Sequence, residues 1–190
     1  VWWIPTVLLF PLMNGGALWL AKLSGEAIPE LFWLTSPSLI VVNFVVILLT
    51  GGPLQEEFGW RGYALPRLQT RFNALISSVI LGVMWTFWHI PYYFIGEEVY
   101  VNIQVILPNL FGTILLTILI TWLYNNTGGS ILVTLISHNM FNVSAVLFPA
   151  LATQVGSIFF LIFITATVIA VVRIWGYKRL VREPKKRVDS

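Results

Sequence analysis

The sequence predicts an all-α fold: a polytopic membrane bundle of about six spans, forming one domain over residues 1–190. Three observations predict it. Hydrophobic residues make up 57% of the chain and charged residues 10%, against about 45–50% and about 25% in a soluble domain. The mean hydropathy of +0.84 points the same way. The apolar residues fall into stretches near the ~20 residues that cross a bilayer, and most charges lie between or after them. Backbone groups find no water in hydrocarbon, so each stretch must be a helix.

The first stretch runs from about Trp2 to Ala21, with Pro11 and Gly15-Gly16 inside it, and a polar loop with Lys22, Glu26 and Glu30 follows. The second begins near Trp33 or Ser38 and runs toward Gly52 or beyond. GGPLQEEFGWRGYALPRLQTR, Gly51 to Arg71, comes next and carries the densest charge within the bundle. The third stretch covers about Ala74 to Ile95, and a loop with Glu97 and Glu98 follows it. The fourth covers about Val105 to Tyr124, and the turn composition of NNTGGS, Asn125 to Ser130, ends it. The fifth and sixth run from about Ile131 to Phe148 and from about Val155 to Trp175. No internal repeat or linker interrupts the series. The chain starts at Val1 rather than Met, as expected of a fragment of a longer protein that further spans can precede. No cleavable signal peptide is legible at the start.

Charge placement orients the bundle. From Arg173 onward there are seven basic residues, opposed only by Glu183 and Asp189. Residues 176–190 therefore read as a basic cytoplasmic tail facing anionic lipid. With the tail inside, the connection bearing Arg61, Arg67 and Arg71 also falls inside. The loops with Glu26 and Glu30 and with Glu97 and Glu98 fall outside, in line with the positive-inside rule. Lys22 dissents, and a lysine at a span end can snorkel. The expected location is a bacterial plasma membrane and the expected partner is the lipid bilayer. Nothing resembles a nucleic-acid module. The chain has no Cys, which excludes disulfides, thiolate nucleophiles and cysteine metal sites.

Glu56 and Glu57 stand beside an apolar run, and ionisable groups in membrane segments tend to be functional. Glu57 and Arg61 share a helix face at i,i+4 and can pair. Glu56 points about 100° away and is expected to be free for chemistry. The only two histidines, His89 and His138, both lie in apolar stretches. His138 and Asn142 share a face, while Asn139 falls off it. If their helices pack together, Glu56, His89, His138 and Asn142 converge on one cavity. Counting helical rise puts both histidines below the cytoplasmic surface. A second helix that starts near Ser38, kinks at Gly51-Gly52 and continues past Pro53 would place Glu56 at their depth.

Two chemistries suit such a set. A carboxylate and a histidine can activate water, with a second histidine and an amide as oxyanion donors. Alternatively Glu56, His89 and His138 can hold zinc. HExxH is absent, Asp189 is the only Asp, and Ser77, Ser78, Ser137 and Ser144 are the serines nearest these residues. A proton-coupled transporter would use Glu56 and the histidines as a relay, but would carry an internal repeat. A non-catalytic scaffold or bacteriocin-immunity protein that retains the polar site is the other reading.

EEFGWR, Glu56 to Arg61, matches the EExxxR motif of the CAAX-protease and bacteriocin-processing family, also called Abi, to which the type II CAAX prenyl endopeptidases belong. Gly62 fits the common form, and Trp60 stands where Phe is frequent. WTFWH, Trp85 to His89, matches FxxxH with Trp85 in place of Phe, a conservative aromatic change. HNMFN, His138 to Asn142, matches the third motif. All three occur in the family's order, and the resemblance spans roughly Val41 to Leu147. It implies a multi-helix intramembrane endopeptidase that hydrolyses a membrane-associated protein or peptide near the cytoplasmic face. By this resemblance Glu56 and His89 activate water, His138 and Asn142 form the oxyanion hole, and Glu57 and Arg61 hold the site in shape. Members are described both as metalloproteases and as metal-free glutamate proteases. The expectation here is no metal cofactor, with zinc as the alternative.

Overall fold

The computed structural model describes residues 1–91 and 103–182, and these form eight α-helices with no strand among them. The loop with Glu97 and Glu98, and the tail from 183 onward with Lys185, Lys186 and Arg187, lie outside the described residues.

Helix α1 (Trp3–Leu23) buries Phe10, Met13, Asn14, Ala17, Leu18 and Ala21. These recur every three or four residues, so they form one face. That face packs on α7 (Ile131–Leu147) and α8 (Gln154–Trp175). Asn14 does not disrupt it, because its Nδ2 donates to Ser144 Oγ at 2.9 Å and ties α1 to α7.

Helix α2 (Ser38–Thr50) ends at Gly51-Gly52, and α3 (Pro53–Gly59) starts at once. Proline lacks an N–H and suits a first helical position. Gly52 has φ +103°, which L side chains rarely adopt. The expected kink is therefore a break, with a 41° bend between Ser38–Thr50 and Pro53–Gln69. A π-helical turn, Trp60–Ala64, joins α3 to α4 (Leu65–Gln69). Such turns are frequent at functional sites.

Helix α5 (Ala74–His89) is capped by Asn73, whose side chain accepts from Ile76 N at 2.9 Å. It packs closely on α6 (Ile103–Asn126), where a Cβ on Gly82 would lie 2.8 Å from Ile114 Cα. Small residues allow such close approach between membrane helices. Helix α6 also packs on α7 and on α8, and Leu119 and Leu123 of α6 share the core with Phe160 and Ile164 of α8.

Among the described residues three helices are long and apolar enough to cross a membrane: Trp3–Leu23, Ile106–Asn126 and Gln154–Trp175. The bent pair makes a fourth span if taken as one. The other two expected spans are the shorter apolar helices Ala74–His89 and Ile131–Leu147. At roughly 1.5 Å per residue each is about 25 Å long, short of the ~30 Å hydrocarbon core. They carry His89 and His138.

The described start of the tail folds back onto the bundle. The carbonyls of Lys178 and Tyr177 accept from the first amides of α5, Ala74 N at 2.8 Å and Leu75 N at 3.2 Å. Asn125 and Asn126, the last residues of α6, donate to the carbonyls of Arg179 and Leu180 at 2.8 and 2.6 Å. Leu180 is fully buried and adopts φ +52°.

Candidate active site

Glu56 and Glu57 are neighbours on α3 with different surroundings. Glu57 is fully buried, and its Oε1 lies 2.6 Å from Nη1 of the equally buried Arg61. The pairing expected at i,i+4 is present even though the helix passes into the π turn between them. The same oxygen lies 2.9 Å from His138 Nδ1 on α7. A carboxylate only accepts when ionised, so His138 carries its proton on Nδ1. One buried carboxylate therefore binds the π turn to α7.

Glu56 is half-buried and opens onto a cavity of about 190 Å³. It is not unpartnered: Trp85 Nε1 donates to its Oε2 at 2.5 Å. This corrects the expectation of a free carboxylate. The expectation rested on helix geometry within one segment, which says nothing of a donor arriving from α5. Behind Glu56 lies Gly52, where a Cβ would collide with Glu56 Oε1. The residue before the helix is thus glycine for two reasons, its φ and the carboxylate seated on it.

His89 also lines the cavity. Its Nδ1 lies 2.9 Å from the Trp85 carbonyl, one turn back on α5. A carbonyl can only accept, so Nδ1 carries the proton and the neutral ring has its lone pair on Nε2. His138 and Asn142 line the same cavity from α7. Asn142 Nδ2 donates to Gly51 O at 3.1 Å, which leaves its second N–H for another acceptor. Asn139 points elsewhere, toward Phe44 O at 3.1 Å.

The four polar groups expected to converge from three segments therefore do so, and Glu57 and Arg61 stand directly behind them. None of Ser77, Ser78, Ser137 and Ser144 lines this cavity. The sequence reading missed Asn109 and Thr113 on α6, which complete the wall. An Asn inside an apolar span was the available signal. It also missed the carbonyl of Gly51 and the role of Trp85. A more apolar cavity of about 460 Å³ adjoins and shares Asn109, Thr113, Leu116 and Phe141.

A family model described as type II CAAX prenyl endopeptidase, Rce1-like, matches residues 37–144. The chain belongs to this Rce1-like family. The matched segment runs from the start of α2 through Asn142 and holds every residue of the site just described. With its apolar helices, this member of the family is an integral membrane protein. It is 35% identical over 105 residues to CAAX prenyl protease 2 of Methanococcus maripaludis. That alignment covers 53% of this chain and 39% of the relative, so the chain spans about two fifths of the relative's length. No solved structure matches.

Among the described residues no three His, Asp, Glu or Cys side chains are grouped closely enough to hold a metal ion. Glu56, His89 and His138 share a cavity without forming such a group. One oxygen of Glu56 already accepts the indole, and Nδ1 of each histidine is already engaged. The second Glu56 oxygen and Nε2 of each histidine remain, but in this arrangement they do not stand together as one three-ligand group.

Proposed function

We propose that this chain carries the water-activating centre of an intramembrane endopeptidase. The observation that carries the proposal is the single small cavity on which Glu56, His89, His138 and Asn142 converge from α3, α5 and α7. A water held between the Glu56 carboxylate and His89 Nε2 would lose a proton to that pair as its oxygen attacks the scissile carbonyl carbon. The carbonyl oxygen becomes an oxyanion. Asn142 has one N–H left for it. His138 becomes a second donor when Nε2 is also protonated, with Glu57 as the counter-charge to the imidazolium. Collapse of the tetrahedral intermediate breaks the C–N bond, and the proton taken from water passes to the leaving amine.

This reading gives water activation to side chains without metal. The support is the spacing and the amide: among the described residues no three carboxylate or imidazole groups stand close enough to share an ion, and the Asn142 N–H suits a developing negative charge and not a cation. The relative's name points to a substrate class, a peptide with a prenylated CAAX terminus, and the adjoining apolar cavity has room for apolar parts of a substrate. The test is cleavage of such a peptide, prenylated and unprenylated, by metal-stripped protein in detergent. Expected is cleavage by the wild type, loss in Glu56→Gln and His89→Ala, and a ~10²–10³-fold lower turnover in Asn142→Ala. Full activity in Glu56→Gln would overturn the proposal. Activity that disappears on stripping and returns with stoichiometric zinc would overturn its metal-free form.

A further inference from the structure

Trp85 is 2% exposed, and it touches four of the six site residues. Its Nε1 donates to Glu56 Oε2 at 2.5 Å. Its ring face lies under the Arg61 guanidinium, 4.6 Å from ring centroid to Cζ. Its ring meets His138 nearly perpendicularly, with centroids 5.0 Å apart. Its carbonyl accepts from His89 Nδ1 at 2.9 Å. The last contact is made by backbone and would survive any side chain. The ring contacts need only an aromatic face. The first needs an N–H.

A buried indole N–H can only donate and must find an acceptor. Here the acceptor is a carboxylate, which makes the bond charge-assisted when the carboxylate is ionised. A glutamate has three rotatable bonds, so a carboxylate at a cavity edge has many orientations. Gly52 bounds Glu56 on one side and the indole holds it on the other. The motif that this segment resembles has Phe at position 85. Phenylalanine would offer a smaller ring face, but could not hold the carboxylate.

We infer that Trp85 is a positioning residue of this chain: its indole N–H aims the Glu56 carboxylate at the water-binding side of the cavity. Its effect on turnover rests on the peptidase reading; its bond to Glu56 does not. Catalysis depends on such alignment, since small misplacements cost large factors in rate. The substitution that isolates the N–H is Trp85→Phe.

Two measurements test the inference. The first uses ¹⁵N-tryptophan-labelled protein in detergent micelles. The chain has 9 tryptophans, and the Trp85 indole resonance is the one missing from Trp85→Phe. It is expected at low field in the wild type and is expected to move upfield in Glu56→Ala. A Trp85 resonance that does not respond to Glu56→Ala overturns the inference. The second is steady-state cleavage. Trp85→Phe is expected to lower kcat by about 10–100-fold, the worth of one hydrogen bond to a charged group, with KM nearly unchanged. Unchanged or raised kcat in a folded Trp85→Phe protein also overturns it, as does an equal fall in kcat for a control substitution at the exposed Trp19 on α1. A wild type that cleaves no peptide sinks the peptidase reading instead, and the resonance then decides the inference.

Discussion

His138 Nδ1 lies 2.9 Å from Glu57 Oε1, and Arg61 Nη1 reaches the same oxygen at 2.6 Å. Both Glu57 and Arg61 are fully buried and His138 nearly so. The contact joins residues 81 apart in sequence, so it sets how α3 and its π turn sit against α7. This carboxylate ties the π turn to α7. It determines which way the His138 ring faces, and through it where the cavity's second nitrogen lies.

Removing Arg61 should therefore cost stability in a way that removing Glu56 does not. Arg61→Ala leaves a buried carboxylate without its cation, a loss of roughly 3–5 kcal/mol. Glu56→Gln keeps shape and an acceptor for Trp85, and should stay close to wild type. Thermal unfolding in one detergent compares them. If Arg61→Ala melts no lower than Glu56→Gln, the assignment of the ion pair as a structural tie is wrong.

Gly52→Ala should damage turnover more than its strain explains. A residue at φ +103° pays about 1–2 kcal/mol for an added Cβ. Here the Cβ also meets Glu56 Oε1 and must displace it. Gly128 has φ +66° with open space around its would-be Cβ, so Gly128→Ala carries strain alone. Cleavage at least tenfold slower in Gly52→Ala than in Gly128→Ala is the expected result. Equal activities would show that the carboxylate does not depend on Gly52.

Glu26 should stabilise the far end of the bundle. Its two oxygens accept from Gln154 N at 2.8 Å and Val155 N at 2.9 Å, the first amides of α8. A carboxylate at a helix N-terminus satisfies free donors and complements the helix dipole. Glu26→Gln should lower stability by about 1 kcal/mol, and Glu30→Gln by much less. Equal unfolding midpoints for the two variants would remove Glu26 from the cap.

Topology can be read with single cysteines, because the chain has none of its own. Thr127→Cys should react with an impermeant thiol reagent only from the cytoplasmic side, and Ser24→Cys only from the outside. The motive is the charge asymmetry of the connections. Labelling of both positions from one side would end the six-span arrangement.

Bundle class, helix positions and the convergence of Glu56, His89, His138 and Asn142 were legible in the sequence. Each rests on a property that survives in one dimension. Apolar length sets where a span can lie, helical period sets which residues share a face, and an ionisable group among apolar residues needs partners wherever they come from. The i,i+4 pairing of Glu57 with Arg61 was legible for the same reason. So was a kink at Gly51-Gly52, since glycine and proline act on their own backbone.

What the tertiary structure alone decided is who meets whom across helices. That Trp85, a conservative replacement for Phe by composition, holds Glu56 depends on how α5 lies against α3. That Asn142 binds the carbonyl of Gly51 depends on a break exposing that carbonyl to α7. The loop residue Glu26 caps a helix 128 residues away, and the basic segment after Trp175 closes over the start of α5. Hydrogen bonds reach about 3 Å and need alignment, so their partners are set by where packed helices bring side chains, and no local spacing in the chain encodes that.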